Sequence, residues 1–346
     1  HHALAAELTD DYDARTSLLS FRYFFAWVGG LSVQVVLFLH LLEPSEGDPA
    51  GFFHLPGWHT YGILGASCIF FAVAVTSLGT HAHIPQLKAP PPKRRITLAR
   101  IFSEIWETAS NPSFRALFIA TLFGFIASGT SASLNQYING FFWEFTGDQI
   151  GGLTFAVFFS PLIALILAPI AGRMLGKKRA AIIVGIFAFT IASAPVFARL
   201  FGWLPENGTP ELYNIILVVT VIDIALIIAY QIIAASMVAD IVEQSELETG
   251  RRSEGVFFAG ISFIRKLAQF SGLFLASIVL SVAAIVPGSR VADVSPESVT
   301  SLGWGYGLVL LGIWSLMLIA VSFYRISRKT HEENLQALAD KRADTA

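Results

Sequence analysis

Four ionisable side chains fall inside long apolar runs: Arg22, Asp223, Arg265 and Lys266. A charge in such a run is expensive to desolvate. It holds a polar or charged ligand, carries an ion, or pairs with another charge. That is binding chemistry, not bond-making chemistry. Lys266 lies twelve residues beyond Glu254, which is about 18 Å along a helix. This depth puts it near the middle of a hydrocarbon layer about 30 Å thick. Ser262, Lys266 and Gln269 share one helix face, and Arg265 borders it. The spacing predicts that Lys266 faces an aqueous cavity, and the competing reading is a salt bridge to Asp223. Asp223 stands seventeen residues before Asp240, about 25 Å away along a helix, in the outer part of its run. It shares a face with Tyr230, and Gln231 flanks that face. It reads equally as a site residue or as an aspartate near the outer interface.

A second polar feature is the stripe Ser128, Ser131, Asn135 and Asn139, with Gln136 and Tyr137 beside it. Such a stripe lines a cavity or bonds neighbouring helices. Amides and a phenol together suit a hydroxyl-rich solute. Other signals are weak. His81 and His83 form an HxH with no third ligand nearby, and no CxxC or HExxH occurs. The single cysteine, Cys68, sits in an apolar run and reads as a small packing residue. Gly29, Gly30 and Gly272 read as positions for close helix packing. Asn207-Gly208-Thr209 matches a glycosylation sequon. No cluster of His, Asp or Ser converges at one depth as catalysis would require, so the chain reads as a non-enzyme.

The elements that position these groups follow from composition. Apolar residues make up 54% of the chain and charged residues 14%, against about 25% charged in soluble domains. The apolar residues come in continuous blocks of bilayer-spanning length, about 20 residues each. They lack the period-two alternation of barrel strands. The fold class is therefore all-α, a polytopic transmembrane bundle. Eight spans are expected, near 17–43, 58–80, 114–143, 152–174, 180–202, 212–238, 255–286 and 304–325. A net charge of −2 gives no reason to expect nucleic acid as a partner.

Lysine and arginine cluster on one side of these spans, for example at Lys93, Arg94, Arg95, Lys177, Lys178, Arg179, Arg251 and Arg252. The bias predicts that both termini are cytoplasmic. The stretch 81–112 is the longest interior linker. It holds the stiff basic run Ala89–Arg95 and then Leu98, Ile101, Phe102 and Ile105 at helical spacing. The linker divides the spans two plus six: a remnant bundle over 1–80, the linker 81–112, a six-helix bundle over 113–325 and a polar tail over 326–346. Transporters built of two similar bundles place the solute between them, so four further spans are expected upstream.

Several stretches resemble one family, the glycoside–pentoside–hexuronide:cation symporters of the major facilitator superfamily. The opening His2–Thr16 is similar to the loop after the family's fourth helix, and Ser20-Phe21-Arg22-Tyr23-Phe24-Phe25 to the start of the fifth. Asn111-Pro112-Ser113-Phe114-Arg115 resembles the entry to the seventh. Ala239-Asp240-Ile241-Val242-Glu243, followed by Thr249-Gly250-Arg251-Arg252-Ser253-Glu254-Gly255, resembles the loop between the tenth and eleventh. Gly172-Arg173 through Gly176-Lys177-Lys178-Arg179 fits the superfamily's short basic turn. The resemblance covers essentially the whole chain and implies family helices five to twelve. It implies that Arg22 matches an arginine implicated in sugar binding, and that Lys266 matches a lysine near the sugar and cation sites. The family's cation-site carboxylates and acidic sugar ligand lie on its second and fourth helices, outside this chain. Gln231 stands where sugar permeases carry an aromatic, and Arg265 is an added cation beside Lys266. An anionic solute such as a hexuronide suits that charge.

These readings combine into a major-facilitator-type secondary transporter in the cell's inner membrane. It is expected to be monomeric, to have no cofactor, and to couple a sugar, glycoside or hexuronide to sodium or protons by alternating access. The expected solute contacts are Arg22, Lys266, Arg265, Asn135, Asn139, Gln231, Gln269 and Asp223. Asp240, Glu243, Arg251, Arg252 and Glu254 are expected to form a gating charge network. The alternative is a non-transporting membrane protein, a sensor or a remnant.

Overall fold

The computed structural model describes residues 12–43, 54–81, 112–249, 254–286, 288–289 and 293–326. The linker, Arg251, Arg252 and the C-terminal tail lie outside them. The described residues form nine α-helices, and all eight expected spans appear. Helix α1 is Tyr12–Val36 and ends in a π-helical turn, Leu37–Leu41. Helix α2 is Leu55–His81. Helix α3 is Pro112–Tyr137, followed by a second π-turn, Ile138–Phe142. The fourth span is two helices, α4 (Gly147–Ala156) and α5 (Ser160–Leu175), joined by the 3₁₀ turn Val157–Phe159. Helices α6 (Lys177–Leu200), α7 (Pro210–Thr249), α8 (Glu254–Val282) and α9 (Pro296–Ser322) complete the set.

Three boundaries differ from the sequence expectation, each for a local reason. Helix α4 begins five residues early because Thr146 and Gln149 form a capping box: the Thr146 side chain accepts from the Gln149 N–H, and the Gln149 side chain accepts from the Thr146 N–H. Helix α9 begins at Pro296 because the Ser295 hydroxyl accepts from the Ser298 N–H and proline fits the first turn. Helix α7 runs on to Thr249 through residues read as a polar loop, and its 40 residues make it about 60 Å long.

Helix α3 packs against α8 and α9, α6 runs along α7, α9 also lies on α6, and α5 lies on α7. Helix α1 rests on α5 and α7 more than on α2. The apolar core is two clusters stacked along the bundle. One holds Leu117, Ala127, Val184, Ile228, Met237, Met317 and their neighbours. The other holds Leu134, Phe142, Val196, Leu212, Val279, Leu302 and theirs. Tyr306 and Val309 pack against both.

Small residues set the closest helix approach. A Cβ on Gly272 of α8 would stand 2.7 Å from backbone atoms of Gly129 and Thr130 on α3. Gly272 thus has the packing role its type suggests. Gly29 and Gly30 do not, since among the described residues nothing lies within 4 Å of an added Cβ at either. Cys68 is exposed rather than packed, because α2 buries almost none of its length.

Candidate functional site

The most buried ion pair among the described residues lies at the basic end of the bundle. Gly176 adopts φ 74° and ψ 152°, a conformation only glycine takes readily, and so turns the chain from α5 into α6. Lys177 then opens α6, where the helix dipole disfavours a cation and calls for an anionic partner. Its Nζ donates to Asp240 Oδ1 of α7 at 2.6 Å, and the side chains are 10% and 5% exposed. The Ser236 carbonyl accepts from the same ammonium at 3.5 Å. At this end the Arg325 N–H also donates to Ser113 Oγ, and the Tyr324 hydroxyl to the Met237 carbonyl. These contacts tie α9 to the start of α3 and to α7. Of the expected gating residues, Asp240 is in this cluster. Glu243 and Glu254 lie on helices α7 and α8, with side chains outside the described set, and Arg251 and Arg252 lie outside it entirely.

Arg265 and Lys266 are both exposed on α8. The Arg265 guanidinium carbon stands 5.2 Å from the centroid of the Phe125 ring on α3. That is a cation–π distance. Lys266 is on the same exposed side as Phe270 and Leu273. The alternative pairing with Asp223 is absent: no ion pair joins them, and Asp223 Oδ1 is buried without a hydrogen-bond partner among the described residues. Arg22 is half-buried on α1, the helix that rests on α5 and α7. Gln231 is half-buried on α7, and Gln269 lies on α8 with its side chain outside the described set.

The polar stripe of α3 divides by role. Ser131 Oγ and the Tyr306 hydroxyl of α9 are 3.1 Å apart, a helix-to-helix hydrogen bond. Farther along, Asn139 Nδ2 donates to Asn135 Oδ1 at 3.3 Å, on a face where Asn135 is exposed. Asn139 itself lies in the π-turn Ile138–Phe142, and such turns are frequent at functional sites. Beyond it, Asn207 Nδ2 donates to the Phe142 carbonyl at 3.1 Å while its own Oδ1 is buried. The sequon asparagine is therefore a helix-end cap, with its amide turned inward.

Sequence reasoning missed Lys177, Ser193 and Tyr306. Lys177 looked like one of several basic residues in a short turn, and its partner lies 63 positions away. Ser193 and Tyr306 carried no signal beyond being polar residues in apolar runs. Among the described residues, no group of three or more His, Cys, Asp or Glu is placed to hold a metal ion.

A bundle of eight bilayer-length helices with buried polar groups at several depths is a multi-pass membrane protein. The chain belongs to the MFS/sugar transport protein family, whose model matches residues 1–328. It is 24% identical over 345 residues to the uncharacterized symporter YjmB of Bacillus subtilis, covering 98% of this chain and 68% of that protein. It is 24% identical to the uncharacterized symporter sll1374 of Synechocystis, covering 86% of this chain and 52% of that protein. It is also 24% identical to the inner membrane symporter YicJ of Escherichia coli, covering 78% of this chain and 54% of that protein. The chain thus spans between half and about two thirds of the length of these relatives.

Proposed function

We propose that this chain is the solute-binding part of a secondary transporter that couples a sugar or sugar acid to a cation and works by alternating access. The observation that carries the reading is the adjacent pair Arg265 and Lys266, exposed halfway along a membrane-spanning helix in a protein of the sugar transport family. Two neighbouring cations at that depth require water, an anion or both. They suit a carboxylate-bearing sugar better than a neutral one. Arg22, Asn135, Asn139, Gln231 and Gln269 supply charge and hydrogen bonds to the same solute. The buried Lys177–Asp240 pair, with Glu243, Arg251, Arg252 and Glu254, holds one conformation of the basic end.

On this reading residues 1–80 belong to one bundle and 113–325 to the other, joined by the linker 81–112. The basic side faces the cytoplasm, the membrane is the inner membrane, and the protein acts as a monomer. The coupling ion is sodium or a proton. The test is solute counterflow in liposomes carrying the full-length protein, with hexuronides and neutral glycosides compared. Hexuronide exchange that drops after Lys266→Ala supports the reading. Undiminished exchange of every solute sinks the role of Lys266, and no exchange by the wild type favours a non-transporting protein.

A further inference from the structure

A polar layer crosses the interior of the second bundle between its two apolar clusters. On α3 one cluster ends at Ala127, the other starts at Leu134, and Ser131 lies between them. On α6 the flanking members are Phe189 and Val196, and Ser193 lies between. On α7 they are Leu217 and Ile224, with Asp223 between them. On α9 the layer is Tyr306, which touches both clusters. Four helices thus interrupt their apolar packing at one level.

The register of α6 against α7 puts Asp223 and Ser193 at about the same level of the bundle. The helices are antiparallel and meet at Lys177–Asp240. They meet again where a Cβ on Gly185 would stand 3.6 Å from the Tyr230 ring. Asp223 is seven residues before Tyr230, on the same stripe, and Ser193 is eight residues after Gly185. From the ion pair, Ser193 is sixteen residues along α6 and Asp223 seventeen along α7, about 24 and 25 Å. Both carry a buried oxygen with no hydrogen-bond partner among the described residues: Asp223 Oδ1 and Ser193 Oγ, the serine being 4% exposed. Two such atoms on facing helices are unusual in a folded interior.

The surrounding groups define the ligand. Tyr306, whose hydroxyl meets Ser131, is within electrostatic reach of Asp223. Tyr230 lies two turns along α7. Ser160 of α5 donates to the Val221 carbonyl. Arg199, toward the end of α6, donates to the Pro205 carbonyl. Arg22 is on α1, nearer the basic end, and Arg265 and Lys266 are on the exposed side of α8. None of these cations forms an ion pair with Asp223 among the described residues. Asp223 is half-buried as a residue but its Oδ1 is dry, and a carboxylate with a dry oxygen and no cation is costlier than the carboxylic acid. A proton needs only one free oxygen, and Asp223 Oδ1 supplies it.

We propose that Asp223 is a proton-carrying carboxyl in the polar layer of the second bundle, at the level of Ser193, and that its protonation is coupled to solute movement. The coupling rests on the symport reading above; the proton site does not. The proton adds to Asp223 Oδ1 and leaves it again as water reaches the layer, with no other bond changed.

The test has two arms, both on the full chain in liposomes. Infrared difference spectra between mildly acidic and mildly alkaline buffer should show a carboxylic-acid C=O band that Asp223→Asn removes and Ser193→Ala shifts in frequency. A wild-type spectrum superimposable on that of Asp223→Asn overturns the site, and an unshifted band in Ser193→Ala overturns its location. Should Asp223→Asn fail to fold, the Ser193→Ala band decides alone. In the transport arm, accumulation driven by a pH gradient should fall at least about tenfold in Asp223→Asn, and the transport that remains should no longer respond to the gradient. Undiminished accumulation overturns the coupling. A wild type that moves no solute removes symport and coupling together, and the infrared arm still decides the proton site.

Discussion

Lys177 Nζ and Asp240 Oδ1 meet 2.6 Å apart where α6 begins alongside the far part of α7, and both side chains are nearly dry. The lysine sits at the end of α6 where the dipole is unfavourable, so the aspartate offsets two penalties at once. Lys177→Met, which leaves the Asp240 charge buried, should destabilise the protein by about 3–5 kcal/mol. The double variant Lys177→Met with Asp240→Leu should recover most of that loss. Thermal unfolding of the four proteins of the cycle in one detergent checks it.

The approach of α8 to α3 at Gly272 leaves no room for a side chain, since the opposing atoms are backbone and cannot rotate away. Gly272→Val should prevent stable folding, seen as lost monodisperse protein on size exclusion. Gly29→Ala and Gly30→Ala should be neutral or slightly stabilising, because each has open space and alanine is the better helix former by about 1 kcal/mol.

Asn207 closes the end of α3 by donating to the Phe142 carbonyl. Asn207→Ala should lower stability by about 1–2 kcal/mol, as expected for loss of a buried hydrogen bond. Expression in a glycosylating host should leave this position unmodified, because the amide is already engaged; a mass shift at Asn207 would contradict the inward orientation.

Solute charge should separate the roles of Arg265 and Lys266. Lys266→Ala should reduce hexuronide exchange at least about tenfold, the effect of about 1.4 kcal/mol. Neutral glycosides should be less affected. Arg265→Lys keeps the charge but loses the flat stacking surface over Phe125. It should fall between wild type and Lys266→Ala. Concentration dependence of counterflow measures all three.

The eight spans were legible because a bilayer sets a length and polarity standard that each run meets or fails by itself. Their ends were less legible. Thr146, Gln149 and Ser295 are ordinary polar residues until their backbone partners are in place. The residues from Ala239 to Glu243 resemble a family loop, yet α7 carries them on in one helix to Thr249. The ionisable groups inside the spans were found from cost alone, but their surroundings were not. Only the register of α6 on α7 brings Ser193 to the level of Asp223, and only the fold brings Lys177 to Asp240 across 63 positions. The contrast between Gly272 and Gly29 has the same origin, since what a glycine permits depends on which backbone lies opposite.

The length of α7 has a mechanical side. At about 60 Å it is twice the hydrocarbon thickness of a bilayer, about 30 Å. The Lys177–Asp240 clamp grips it nine residues short of Thr249, leaving an arm of about 13 Å beyond the grip. A rod held near one end works as a crank. A tilt of the bundle about that grip would become sideways travel of the free arm, which ends at Thr249.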